Sequence, residues 1–250
     1  MIEAEEQFIP TTELLQPWST FVLKTQLPTD ILQIMLKITD EIIANPEIAV
    51  NKGKDLAGQI KDEFQIENKR FEDNGALNYF LDMVKVFVIQ QTLQMSCGYT
   101  RNINKNFEER RKEILEDEWY IQLDSMWANY QKDNEYNPIH FHTGCHISTV
   151  MYLKIPEYLP SRKSYKNEDG AITFISNSTR NPIWGAPVMT LLPKVGDFFI
   201  FPSTQAHSVY PFRTADAIGE RRSVAFNASF SSKSINDKNE YLPKTQKSNR

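Results

Sequence analysis

The stretch GDFFIFPSTQAHSVYPF, Gly196 to Phe212, decides how the second half of this chain is read. Its first part, "DFFIFP", is an apolar run that reads as a strand. Pro202-Ser203 turns the chain, and a second short run, "HSVYPF", starts at His207. Short runs rich in Val, Ile, Phe, Tyr and Thr, parted by Pro, Gly, Asn and Asp, are the signature of strands and turns. Working outward, the same texture begins after Glu118. Strands are expected at "YIQLDSMWANYQ", "HISTVMYLKIP", "AITFIS", "VMTLLP" and "RSVAFNASF". Lys194 to Asp197, "KVGD", is a tight-turn candidate, and "EYLPSRKSYKNEDG" is a polar loop.

Upstream the pattern is helical. In "LPTDILQIMLKITDEIIANPE", Ile31, Ile34, Met35, Ile38 and Ile42 recur at spacings of three and four, which is one apolar helix face. Asp30 with Gln33 has the spacing of a capping box, and Asn45-Pro46 is a stop signal. Leu77, Phe80, Leu81, Val84 and Val88 repeat the pattern up to Gly98, and "NFEERRKEILEDE" is a third, highly charged helix. Helices followed by many short strands imply an α+β domain with the N-terminal helices packed on one sheet. The strand count suits a double-stranded β-helix, the jelly-roll or cupin-like core. The whole chain, 1–250, reads as a single domain: a mainly helical leader and support over 1–118, the β core over 119–230, and a disordered tail over 231–250.

Of the 250 residues, 40% are hydrophobic and 12% aromatic, enough for a substantial core. The net charge of −4 gives no nucleic-acid footprint. Cys97 and Cys145 form no disulfide framework, which fits a reducing, cytoplasmic compartment. "MIEAEEQFIP" is acidic and lacks the features of a signal peptide, and no run of about 18 apolar residues is present to span a membrane.

The chain has four histidines, three of them within "NPIHFHTGCH", Asn137 to His146. In an extended segment His140 and His142, two residues apart, project to the same side. Both imidazoles then reach one point, as a Zn, Fe or Mn ion requires. His207, after the strand and turn quoted above, supplies the third corner of a metal clamp. His146 shares their parity, but Gly144 favours a bend. It is either a ligand replacing one of the pair, a group orienting a ligand, or no part of the metal site, and a non-ligand role is favoured. The bland alternative is that the histidines are structural.

Twelve residues beyond His207, "GERRSVAFNASF" begins at Gly219 and alternates Arg221, Ser223, Ala225 and Asn227 on one face with Arg222, Val224 and Phe226 on the other. A buried arginine needs a partner. A small carboxylate satisfies it through two parallel hydrogen bonds, and a nearby serine hydroxyl adds a third. On an edge strand, both arginines would instead face water.

Together, His-x-His, "VMYLKIP", "GDFFIFPSTQAHSV" and "RRSVAFN" resemble the Fe(II)/2-oxoglutarate-dependent dioxygenases over roughly Trp127 to Phe230. More narrowly they resemble the prolyl-hydroxylase-like oxygenases of marine phages and bacteria, for which the location would be a host cytoplasm. "LAGQIKDEF", near Leu56, looks like the helical leader of that group. The resemblance implies one Fe(II) in a double-stranded β-helix, with His140 and His142 proximal and His207 distal. It implies that Arg221 and Ser223 bind the far carboxylate of 2-oxoglutarate and that Tyr152 touches this cosubstrate. The wider superfamily has His-x-Asp/Glu where His142 stands here, so the iron keeps more positive charge. The reaction implied consumes O₂ and 2-oxoglutarate, hydroxylates a C–H bond of a protein, peptide or small molecule, and releases succinate and CO₂. Trp127 and Asn129, on one strand face, are candidates to line the cleft of that unknown primary substrate. The runner-up is a cupin-like three-histidine metalloprotein without oxygenase activity.

Overall fold

A computed structural model of the chain describes residues 21–72, 74–99, 107–160, 168–176 and 187–237. The β-prone runs form strands where the alternation places them: β3 (Trp119–Gln131), β5 (Ile147–Lys154), β6 (Ile172–Ile175), β7 (Val188–Leu191), β8 (Asp197–Pro202), β9 (His207–Val209) and β10 (Arg221–Ser232). Three more strands were not anticipated: β1 (Leu23–Gln26), β2 (Glu63–Ile66) and β4 (Asn137–His140). All pair antiparallel, in a six-stranded sheet ordered β1-β8-β5-β10-β3-β2 and a four-stranded sheet ordered β4-β9-β6-β7.

The period of two along each strand divides the large sheet into two faces. Met126, Ala128 and Tyr130 of β3, Phe198 and Ile200 of β8, and Val224 and Phe226 of β10 point to one side. There they meet the buried faces of three helices, α1 (Thr29–Ala44), α3 (Ala76–Tyr99) and α4 (Phe107–Glu116), through Ile31, Met35, Ile38, Ile42, Phe80, Val84, Phe87, Val88 and Ile114. A one-turn helix, α2 (Lys69–Glu72), adds the buried Phe71. The ring centroids of Phe80 and Phe226 are 5.4 Å apart, within the range of aromatic pairing. The other face of the large sheet turns toward the small sheet. At one end of this gap Tyr152, Phe199 and Phe201 pack with Ile172, Phe174 and Val209. The rest of the gap is a cavity.

The expected helices are present, with corrections at their ends. No side-chain cap forms at the start of α1. Pro28 precedes the helix with φ −55° and ψ 148°, and its carbonyl accepts from Leu32 N–H at 2.9 Å, so the first turn is set without a capping box. Asp30 instead sits in the first turn, where a carboxylate favours the helix dipole. α3 continues through Gly98 to Tyr99. "LAGQIKDEF" is no helix: it is turn-like up to Asp62, and Glu63–Ile66 then pairs with β3, because Phe64 and Ile66 alternate onto the buried helical face. The leader thus donates β1 and β2 to the two edges of the large sheet. At the other end β10 runs to Ser232, and α5 (Lys233–Asp237) follows, with Lys233 N–H donating to Glu118 O at 2.9 Å. The chain past residue 230 is therefore structured to Asp237, and the remainder of the expected tail lies outside the described residues. So does the middle of the polar loop, residues 161–167. The "KVGD" turn forms as read: Gly196 has φ +87°, and Lys194 N–H donates to the Asp197 carboxylate at 2.9 Å.

Candidate metal centre

The turn at Pro202-Ser203 builds the centre. Ser203 O accepts from His142 N–H at 2.9 Å, Ser203 N–H donates to His146 O at 2.9 Å, and Ser203 Oγ–H donates to Cys145 O at 2.8 Å. These bonds hold the His142–His146 loop against the end of β8. The chain then enters β9, whose first residue, His207, lies directly opposite His140 on β4. The ring centroids of His140 and His207 are 4.2 Å apart, and those of His142 lie 5.2 and 5.3 Å from them. One nitrogen from each ring falls within 4.8 Å of the others, close enough to share one ion.

Protonation favours the same use. His140 Nδ1 lies 2.7 Å from Pro138 O, and His207 Nδ1 lies 2.9 Å from Gln205 O. A carbonyl only accepts, so each Nδ1 carries the proton and each Nε2 keeps a lone pair. Burial lowers the His140 pKa. Burial and the neighbouring His140 bring His142 down to about 4 and His207 to about 3. All three rings are therefore neutral at pH 7, the form a metal ligand requires. His146 stands apart: its Nδ1 accepts from Phe230 N–H at 3.1 Å, and its ring packs on Phe230 at 4.9 Å.

The three imidazoles line a cavity of about 400 Å³ between the sheets, within the usual range for small-molecule sites. Arg221, Ser223, Tyr152, Trp127 and Asn129 line it too. Arg221 is 2% exposed. Its guanidinium donates to Gly170 O and to Gln131 Oε1 and lies over the rings of Tyr152 and Phe212 at 5.6 Å. No carboxylate pairs with it among the described residues, and its Nε has no partner. The Tyr152 hydroxyl is likewise without a partner, and burial pushes its pKa up to about 12. Tyr152 lies opposite Ser223 on the adjoining strand. A cation and two hydroxyls with donors to spare make a fitting cradle for a carboxylate.

Arg222 faces the opposite way. It pairs with Asp40 and Glu220 at 2.6 Å, donates to Thr39 Oγ1 at 3.1 Å, and lies 4.8 Å from the Tyr130 ring centroid. The two adjacent arginines are thus both buried, one locked into a charge network under the helices and one aimed into the cavity.

Two features of the cavity wall escaped the sequence reading, Gln131 and Glu63. Glu63 is 1% exposed, and burial, together with nearby Glu135, raises its carboxyl to about 7. The signal lies in "EFQI", where polar and apolar residues alternate, but the run is only four residues long.

Residues 125–227 match the model of a family described as "Putative 2OG-Fe(II) oxygenase". Among solved structures, the chain is similar to a prolyl-4-hydroxylase of Pseudomonas putida, at 14% identity over 83% of this chain and 92% of that one, with a TM-score of 0.46. A viral collagen prolyl hydroxylase from Paramecium Bursaria Chlorella virus-1, solved as a 2OG complex, is similar at 11% identity over 83% and 95%, with a TM-score of 0.45. An α-ketoglutarate-dependent epimerase of nogalamycin biosynthesis is similar at 13% identity over 83% and 78%, with a TM-score of 0.46. No curated protein matches the chain in sequence.

Proposed function

We propose that this chain, whose residues 125–227 match the 2OG-Fe(II) oxygenase family, is such an oxygenase, that His140, His142 and His207 hold the Fe(II), and that Arg221, Ser223 and Tyr152 receive the distal carboxylate of 2-oxoglutarate. One observation carries this reading. Three neutral imidazoles converge on the same cavity in which a buried guanidinium lacks a carboxylate among the described residues. The core is read as a double-stranded β-helix within a single domain. In support, β3, β5, β8 and β10 lie in the large sheet, while β4, β6, β7 and β9 lie in the small one, so the chain crosses repeatedly between sheets.

The ion, when bound, supplies O₂ activation coupled to decarboxylation of 2-oxoglutarate. The chain's own residues do the rest. The Pro138 and Gln205 carbonyls fix the tautomers of His140 and His207, which leaves both Nε2 lone pairs free to bind an ion. Arg221 neutralises the distal carboxylate, with its unpartnered Nε as a donor. Ser223 Oγ already accepts from Asn129 Nδ2 at 3.4 Å, so its own proton is free to donate. The Tyr152 hydroxyl stays protonated and donates as well. Phe199, Phe201 and Phe174 seal the apolar side of this pocket from water. The net reaction converts substrate C–H, O₂ and 2-oxoglutarate to C–OH, succinate and CO₂.

The test is anaerobic titration of metal-free protein with Fe(II) and then 2-oxoglutarate, read by visible absorption. A weak charge-transfer band that saturates at one equivalent, with succinate formed on admitting O₂, is the expected result. Metal binding that is indifferent to 2-oxoglutarate, and unchanged in Arg221→Ala, would instead support the cupin-like metalloprotein.

A further inference from the structure

The roles above leave the buried carboxyl of Glu63 without a task. It lies on the inner face of β2, and among the described residues its Oε2 has no hydrogen-bond partner. No Lys or Arg pairs with it among the described residues. Directly opposite on β3 is Asn129, 4% exposed, whose Nδ2 donates to Ser223 Oγ while its Oδ1 has no partner either. Gly58, on the turn-like segment above, belongs to the same corner. A side chain there would collide with Asn137 Oδ1 and come within 3.0 Å of Glu63 Oε1, so the absence of a Cβ leaves room for both oxygens.

The strand register arranges these groups in a row. Glu63, Asn129, Ser223 and Tyr152 are successive neighbours across β2, β3, β10 and β5. The row is graded in chemistry. Its β10–β5 end offers donors beside Arg221 and suits an anion. Its β2–β3 end offers unpartnered acceptor oxygens and suits the opposite charge. An isolated buried carboxyl is costly to keep, and burial has raised this one to about 7. A ligand bringing N–H donors and a positive charge supplies what the fold withholds.

The distance to the imidazoles is also bounded. Trp127 precedes Asn129 on the same face of β3, about 7 Å away for two residues of strand. Its ring centroid is 5.9 Å from that of His142. The two legs put Asn129 no more than about 13 Å from the His142 ring, a gap that an arm of lysine or arginine length spans across the shared cavity.

We propose that Glu63 and Asn129 recognise a cationic nitrogen, an ammonium or guanidinium, carried on a short aliphatic arm of the primary substrate. This rests on the reading of the site as a 2-oxoglutarate oxygenase. The arm lies along Trp127, and the carbons nearest His142 are the ones presented for hydroxylation.

The experiment is calorimetric titration of protein loaded with Fe(II) and 2-oxoglutarate without oxygen. The probes are L-lysine, L-arginine, the same side chains within an N-acetylated tripeptide, and the neutral counterparts norleucine and citrulline in both settings. A cationic probe is expected to bind at least about tenfold more tightly than its neutral partner, and the gap to shrink to about threefold or less in Glu63→Gln. Discrimination in the free or the peptide arm supports the proposal and names the source. Without ligand, Glu63→Gln is expected to melt at a higher temperature than the wild type, which a carboxyl kept only for structure would not allow. Equal binding of charged and neutral probes, no binding of either, or a gap that survives in Glu63→Gln overturns the proposal. The absorption band, recorded first on both proteins, separates the two readings. A band without discrimination removes the substrate class alone, and a missing band removes the oxygenase site itself.

Discussion

Adjacent arginines with opposite duties make a sharp test. Consider Arg222→Met and Arg221→Met, which keep the unbranched stem and remove the charge. Arg222 is locked by Asp40, Glu220, Thr39 and the Tyr130 ring. Removing one partner of a buried ion pair costs about 3–5 kcal/mol. Here Asp40 is 55% exposed and is rehydrated easily, whereas Glu220, 19% exposed, is not. A loss of about 3 kcal/mol follows, equivalent to about 6–12 °C in Tm for a chain of this size. Among the described residues Arg221 has no carboxylate to abandon. Its replacement leaves Gly170 O and Gln131 Oε1 without their donor, at about 1–3 kcal/mol each. It also removes a buried charge lacking a counter-ion, a gain of similar size, so stability stays within about 1 kcal/mol of wild type. Binding runs the other way. Arg221→Met is expected to weaken 2-oxoglutarate at least about 100-fold, near 3 kcal/mol, and Arg222→Met to leave it within about threefold once folded. Urea unfolding gives the first pair of numbers, and anaerobic titration of the Fe(II) protein gives the second. If Arg221→Met unfolds as easily as Arg222→Met, or if Arg222→Met is the variant that loses 2-oxoglutarate, the division of labour argued from the two strand faces is wrong.

Other consequences are as direct. Glu63 has a folded pKa of about 7 against an ordinary value of 4.5. The folded state then holds a proton that the unfolded chain has released, so Glu63 by itself costs the metal-free protein stability as pH rises from about 4.5 to about 7, against the three imidazoles, whose lowered pKa values act in the opposite sense. The ceiling is about 3 kcal/mol, and water in the cavity reduces it to about 1–2 kcal/mol. Glu63→Gln removes that part of the pH dependence, and urea midpoints at pH 5 and pH 8 that shift equally would contradict it. His207→Ala is expected to abolish the Fe(II)–2-oxoglutarate band, whereas His146→Ala keeps it and costs about 1–2 kcal/mol, because Phe230 N–H loses its acceptor. Phe80→Ala, emptying a fully buried site beside Phe198 and Phe226, should cost about 3–5 kcal/mol in urea unfolding. A loss below about 1 kcal/mol would mean that the helical layer is not packed as described.

Much of this was legible in the sequence because it depends on parity. Two residues apart on a strand means the same face, so the His140–His142 pair and the Arg221–Ser223 pair could be read from spacing alone. The texture of the chain after Glu118 gave the strands of the core, for the same local reason. The leader was harder. Its helices announce themselves by long periodic runs, but β1 and β2 are only four residues each and gain their stability from the sheet edges they join.

Local pattern, then, encodes alternation: which side chains travel together, and that the chain has a helical layer and a β layer. Tertiary structure alone decided which face of each strand turns inward. It set His207 opposite His140, buried Arg222 under α1 beside Asp40, and aligned Glu63 with Asn129 at the far end of the cavity. Register and burial arise from contacts between segments dozens of residues apart. No local pattern encodes them, because their energy exists only once both partners are in place.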